Sequence, residues 1–500
     1  MQRRTNFFLL ARAALLFLAL PYSLAPTLGQ GLNNLWMGGT NSEEPLPFGG
    51  TDINFITGNA VVGYVERNID FRRTCANISD ANGNLLFSTN GCFIANATGD
   101  TMLNGAGLNP GPYSTQYPEG LYINQAVLII PDPGNDQRYY VFHNTLDNYT
   151  DLTAEQLYLT QVDMSLNGNL GGVTSKNEVL LDDDLNPGKL TAVRHGNGRD
   201  WWVYCHQANS ARYYRFLVDP VGINGPFIQD IGETWEPQGG QGCFSQDGSK
   251  FANYWSVSDL EIFDVDRCTG EFYNPIHIPI SDGEGLGGVA FSPSGQYLYV
   301  SSYIDAYQFD VTATDIAGSM VLIAEWDTFY SPFPPFATVF DMAQLAPDGK
   351  IYISTSNSTL HLHVINNPDV PGMGCNMVQH QLELPTYYSN SLPNHPNYHL
   401  GALAGSPCDT LGLSVPEHPP PIQLSAYPNP SDGRFTLSYA AQPSAGVLEV
   451  RDLSGKLVRQ ERIPAWSAMH AVDLDDATSG LYLCKVRWGK GEEAIHLIIE

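Results

Sequence analysis

A short unit recurs along the middle of this chain: an apolar β-type run, a polar turn containing glycine, and a second run rich in aromatic and β-branched residues. Six copies are legible, from Ile78 to Phe87, Leu128 to Phe142, Val193 to Tyr204, Phe244 to Phe251, Phe291 to Val300 and Leu345 to Ile353. Their turns, such as Asn82-Gly83, Asp247-Gly248 and Asp348-Gly349, return about every fifty residues, the length of one four-stranded propeller blade. A single blade cannot bury both of its faces, so such units are stable when stacked side by side around an axis. Behind several of the units lies an alternating run that suits a half-exposed outer strand: Leu260 to Val265, Ala306 to Val311 and Leu360 to Ile365. The less regular stretch from Thr51 to Tyr64 adds a seventh unit. The expected fold is therefore all-β, a β-propeller with seven blades favoured over six. Asn397 to Ala402 is expected to complete the first blade and close the ring, which would remove two sheet edges.

Both ends of the chain differ from this body. Arg3 and Arg4 precede an apolar stretch, Leu9 to Leu20, and the small residues around Gly29, the layout of a secretory signal. Cleavage is expected between Gly29 and Gln30, leaving a body of residues 30–411. No later segment approaches the roughly twenty apolar residues a helical membrane span needs, so none is expected in the mature chain. Beyond Cys408, Pro416, Pro419, Pro420 and Pro421 mark a stiff linker at 412–423. Residues 424–500 then read as short alternating strands, including Arg434 to Tyr439, Gly446 to Asp452, Lys456 to Arg462 and Gly480 to Val486, the pattern of a small β-sandwich.

Charge narrows the partners. The formal net charge is −28, and loss of the arginine-bearing leader deepens it to −31, so nucleic acid is excluded as an expected partner. The acidity is concentrated in the body: between Cys268 and Gly433 Lys350 is the only base against fifteen carboxylates. The tail carries ten acids and eight bases, which suggests that a different surface chemistry shaped it.

The eight cysteines show no clustered metal-type spacing, so zinc is not expected. Export permits disulfides, and two loops are candidates: Cys75 with Cys92 across the Asn82-Gly83 turn, and Cys375 with Cys408. Cys484, in the alternation Leu481-Tyr-Leu-Cys484, is expected to point inward and stay reduced.

In the tail, Ala426-Tyr427-Pro428-Asn429-Pro430 leads through Gly433 to Phe435. Val450-Arg-Asp-Leu-Ser-Gly455-Lys456 follows, and then Gly480-Leu481-Tyr482. These stretches, in this order, resemble the type A C-terminal sorting domain of the type IX (Por) secretion system of the Bacteroidota. That resemblance implies export through the periplasm to a secreted or outer-surface location, with the secretion machinery as partner. The body, through Ile78 to Gly91 and Ser391 to Gly401, resembles a family of propeller-like proteins that often precede such tails. That family supplies no catalytic residues to carry across.

Local catalytic signatures are missing: there is no Gly-x-Ser-x-Gly elbow, phosphate loop, dinucleotide fingerprint or His-Glu-x-x-His helix. His143, His195, His206, His277, His361 and His363 could converge from separate blades, but for each a hydrogen-bonding role in the blade is favoured over catalysis. His361 and His363 would share a strand face and could bind one metal. Asp182-Asp183-Asp184 and Asp80 to Asn84 offer oxygen ligands without complete calcium-loop spacing, so calcium is the one ion considered and no resident cofactor is expected. Trp201, Trp202 and Trp235 fit either a sugar-stacking platform or buried blade aromatics, the latter favoured. No catalytic or metal residue is assigned. The expected function is a secreted or surface binding protein that presents propeller loops to a protein or glycan. The alternative is a hydrolase or lyase working in the channel.

Overall fold

The computed structural model describes residues 31–237, 239–280, 287–409, 424–474, 477–489 and 491–500. The expected leader and its Gly29/Gln30 junction lie outside the described residues, as does the linker at 412–423. Six of the seven sequence units form the first hairpin of a blade. In the second blade, for example, Ala76–Ser79 pairs with Leu85–Thr89, and in the sixth Gly288–Phe291 pairs with Tyr297–Ser302. The turns work as their residues dictate. Asp247 accepts the Ser249 amide at 3.0 Å and Asp348 that of Lys350 at 3.1 Å, while Gly248 and Gly349 take positive φ, 71° and 78°.

Blades 2 to 7 are four-stranded meanders at 76–106, 127–185, 191–235, 241–278, 288–325 and 340–389, each with its first strand innermost. The second and third are linked at their rims by one parallel bridge, Leu103 to Gly172. Blade 1 has three strands, Leu35–Thr40, Gly49–Asn54 and Val61–Val65, so the seven-bladed reading holds. Apolar clusters span neighbouring blades. Phe251, Phe263 and Phe272 of blade 5 pack with Trp202, Tyr204 and Tyr213 of blade 4, and Trp36 and Phe55 of blade 1 pack with Tyr352 and Leu362 of blade 7. Packing between sheets thus supplies the core that a lone blade lacks.

Ring closure differs from the expectation. Leu35–Thr40 runs antiparallel to Ala76–Ser79, as the bonds Ser79 N to Leu32 O and Asn77 Nδ2 to Leu35 O show, so it holds the second place in its blade. The inner place goes to the segment around Asn394, which descends parallel to that neighbour: Asn394 N bonds Cys75 O at 2.9 Å and His395 Nε2 bonds Asn77 O at 2.8 Å. Pro393 and Pro396 remove amides that a ladder would use, so the segment forms no strand. Asn397 to Ala402, expected to close the ring, lies past it on the face of the first-hairpin turns, where Asn397 Nδ2 bonds Gln246 O at 2.7 Å.

The expected disulfides do not form. Cys268 pairs with Cys408, and Cys75, Cys92 and Cys375 remain thiols. The hairpin register sets Ala76 against Thr89, so Cys75 faces the region of Asn90, while Cys92 lies beyond the next turn and donates to Tyr117 O. Cys375 sits at the outer edge of blade 7, before Met377–Ser389, away from Cys408.

The tail is a sandwich of two antiparallel sheets. Ser425–Tyr427, Arg434–Ser438 and Met469–Asp473 form one; Leu457–Ile463, Gly446–Asp452, Gly480–Trp488 and Gly491–Ile499 form the other. Phe435 and Leu437 meet Leu448, Val450, Tyr482 and Val486 in a core of their own. Cys484 is fully buried there and reduced, and burial pushes its thiol up to about 12.

Candidate functional site

The axial channel of a propeller is where side chains from all blades converge, and here the protein's own chain fills it. Asn394 is the centre of the plug: its Nδ2 donates to Val127 O at 2.9 Å and Leu190 O at 2.8 Å, and its Oδ1 accepts from Gln125 Nε2 at 3.2 Å. Gln125 in turn exchanges two bonds with Gly242, and Gln241 does the same with Ala343 across another gap between blades. Amides suit this work, because each offers a donor and an acceptor to main-chain groups of two blades at once. A cavity of about 50 Å³ remains beside the plug, walled by Gln125, Thr191, Ser245, Gln344, Asn394 and His395 among others, which is water-sized.

The opposite face, where blades connect to one another, carries an open recess of about 500 Å³ walled by Asn41, Glu43, Glu44, Asp70, Arg72 and Glu119. Three loops of blades 1 to 3 are tied together around it. Arg72 Nη2 donates to Asn41 Oδ1 at 2.9 Å and to Glu119 Oε2 at 2.8 Å, and Ser42 gives its amide and hydroxyl to Asp70 Oδ1. The sequence reading missed this recess, because its members come from three separate connections and share no motif.

The candidate histidines are dispersed and already engaged. His143 binds Asn109 and Thr160, His195 binds Cys268 O, His206 binds Asn186, and His277 pairs with Asp259. His361 and His363 do lie near one another, yet Nδ1 of His361 bonds Ser331 and that of His363 accepts the His380 amide. Among the described residues no group of three or more His, Cys, Asp or Glu could hold a metal ion. Asp80 turns its carboxylate onto Asn82 N, Asn84 N and Asn84 Nδ2 of its own turn, and Asp183 accepts from Gln207 and Tyr214. Trp201, Trp202 and Trp235 are all buried, Trp202 giving its indole N–H to Arg267 O and Trp235 to Glu261, so the platform reading is replaced by the packing one.

Burial has a pH consequence. It pushes the imidazoles of His143, His206 and His363 down to about 3, and those of His395 and His399 to about 4. The unfolded chain takes up these protons as pH falls below about 6.5 while the folded chain does not, so stability is lost on acidification. Asp147 and Asp348, raised to about 6 by burial, act the other way, as do Asp52, Glu261 and Asp341, also raised by burial. Five imidazoles stand on one side and five carboxyl groups on the other, and we expect the imidazoles to prevail. We expect the melting midpoint to fall by on the order of 10 °C between pH 7 and pH 4.5. A midpoint that holds or rises would show that the carboxyl groups dominate.

The tail motif explains itself locally. Asn429 covers the edge of the final strand, its Nδ2 donating to His496 O at 2.8 Å and its Oδ1 accepting Ile498 N at 2.9 Å. Pro428 and Pro430 flank it with no amides of their own to satisfy. Gly433 and Gly455 hold positive φ at turns, 106° and 84°; Lys456 N bonds Asp452, and Gly480 opens the strand that carries Leu481 and Tyr482. Phe435 and Tyr482 are buried, whereas Tyr427 is 82% exposed.

Among solved structures, a protein from Lactobacillus plantarum is similar at 12% identity and a TM-score of 0.44, over 72% of this chain and 99% of its own. A putative 6-phosphogluconolactonase from Bacteroides fragilis is similar at 12% identity and a TM-score of 0.44, over 72% and 97%. The Dos1 propeller is similar at 9% and 0.36, over 66% and 91%. No curated protein matches the sequence. Residues 425–500 match the secretion system C-terminal sorting domain, so the chain carries a type IX sorting tail and is directed to a secreted or outer-surface location.

Proposed function

We propose that this is a binding protein of a Bacteroidota cell surface or its surroundings, in which a rigid propeller presents loops to an extracellular protein or glycan. The observation that carries this reading is the plug. With Asn394 bonded to main-chain groups of blades 3 and 4 and Gln125 bridging it to blade 5, the deep axial site is given over to structure. The open recess around Arg72 is of ligand size and built from loops, where binding residues concentrate on rigid scaffolds. Its polar side chains suit hydrogen bonding to hydroxyl or amide groups.

The purified mature chain on glycan and protein arrays tests this. A retained partner is expected, and Arg72→Ala, which unties the three loops, is expected to weaken its capture by about tenfold. Cleavage of an arrayed glycan or peptide, or capture indifferent to that substitution, would contradict the reading.

A further inference from the structure

The sorting domain does not hang free of the propeller. Its segment from Pro464 to Ala468 sits over the channel exit on the face of the first-hairpin turns. Pro464 lies so close to Gly349 that a Cβ there would come within 3.2 Å of its ring. Trp466 packs onto the aromatic cluster shared by blades 4 and 5. Ala465, Ser467 and Ala468 are buried, and the space left between them and Gln246, Pro293, Gln344 and His399 is only about 50 Å³. A second contact fixes the orientation: Thr436 Oγ1 donates to Thr57 O at 2.6 Å, and Asn34 Nδ2 approaches Met469 Sδ at 4.0 Å.

Trp466 has φ 61°, a left-handed conformation that is costly for a bulky aromatic residue and persists only where the surroundings determine it. The loop is braced from inside its own domain. Trp466 N bonds Gln442 O at 2.7 Å, and Ser467 Oγ bonds both Pro464 O and the Tyr439 hydroxyl. A braced loop that presents one aromatic side chain to a foreign core has the form of an anchor.

We propose that the sorting domain is a detachable cap: docked through Trp466, it holds the exit face of the propeller closed, and its departure uncovers that face. Two domains that each possess a core of their own can part at the contact between them without either unfolding. In a protein that binds partners outside the cell, a reading that rests on the proposed function, the cap would withhold one face until delivery is complete. The capping itself is testable without any ligand.

The test uses the full chain with a protease site introduced between residues 412 and 423, nicked after purification. We expect the two fragments to co-elute at micromolar concentration, with slow amide exchange in the turns 245–249, 292–296 and 346–350. Trp466→Ala is expected to let the fragments separate and to speed exchange in those turns by about tenfold or more, the inner strands keeping their protection. Pro293→Arg places a charge on the propeller side of the contact, leaves the tail's own fold untouched and should do the same. Separation of the unsubstituted fragments on nicking, or turns whose exchange neither substitution changes, would overturn the proposal.

Discussion

A chain ending at residue 423 is expected to fold and yet remain in the periplasm, its surface signal reduced to background. The two halves of this expectation have separate causes. The propeller closes without the tail: its blades pack on one another, its inner ring is completed by the segment around Asn394, and the tail's Phe435, Leu448 and Tyr482 belong to another core. A cooperative melting transition should therefore survive truncation. Delivery should not, because the residues removed, 425–500, are those that match a sorting domain. Loss of Trp466 from the exit face will expose some apolar surface, so a modest fall in solubility is compatible with this account. Collapse of the melting transition would instead make the tail a structural part of the propeller. Fractionation in a host with type IX machinery, with melting of the truncated protein, separates these outcomes.

Reducing or removing the Cys268–Cys408 bond is expected to cost roughly 2–5 kcal/mol of unfolding free energy. The bond joins residues 140 apart, so in the unfolded chain it closes a loop containing the last strand of blade 5 and all of blades 6 and 7, and long loops give large entropic terms. It also ties down the end of the channel segment: Arg267 Nη2 donates to Gly401 O and Leu403 N to Gly196 O at 2.7 Å beside it. Gly196 makes room, since a Cβ at that position would clash with the Cys408 sulfur. Cys408→Ser should lower the denaturant midpoint and, by letting the unfolded chain expand, steepen the slope, and Cys375→Ser should leave the cross-link intact. A peptide map of the oxidised protein showing Cys375 joined to Cys408 would contradict the assignment, as would an unchanged midpoint in Cys408→Ser.

What could be read in the sequence was what is local. The turns at Asp247-Gly248 and Asp348-Gly349 announce their hairpins because an aspartate that accepts its neighbours' amides and a glycine with positive φ are chemical requirements of the turn itself. The tail strands were legible from alternation, and its edge-covering Asn429 from a motif. The plug was not, because Asn394 bonds to Val127, Leu190 and Gln125, positions that only the curvature of the ring brings together. The same curvature places Cys408 against Cys268, where loop length alone favoured nearer partners. The recess around Arg72 and the contact of Trp466 with blades 4 and 5 are likewise assembled from distant segments, so no spacing could reveal them.

The most direct test of the central claim, that this chain joins a self-contained propeller to an address read at the outer membrane, is transfer of that address. Residues 424–500 fused behind a foreign, signal-bearing domain should bring it to the outer surface of a cell possessing type IX machinery, as read by protease accessibility on intact cells. A passenger that stays protected in the periplasm although the fused tail is folded would contradict the account.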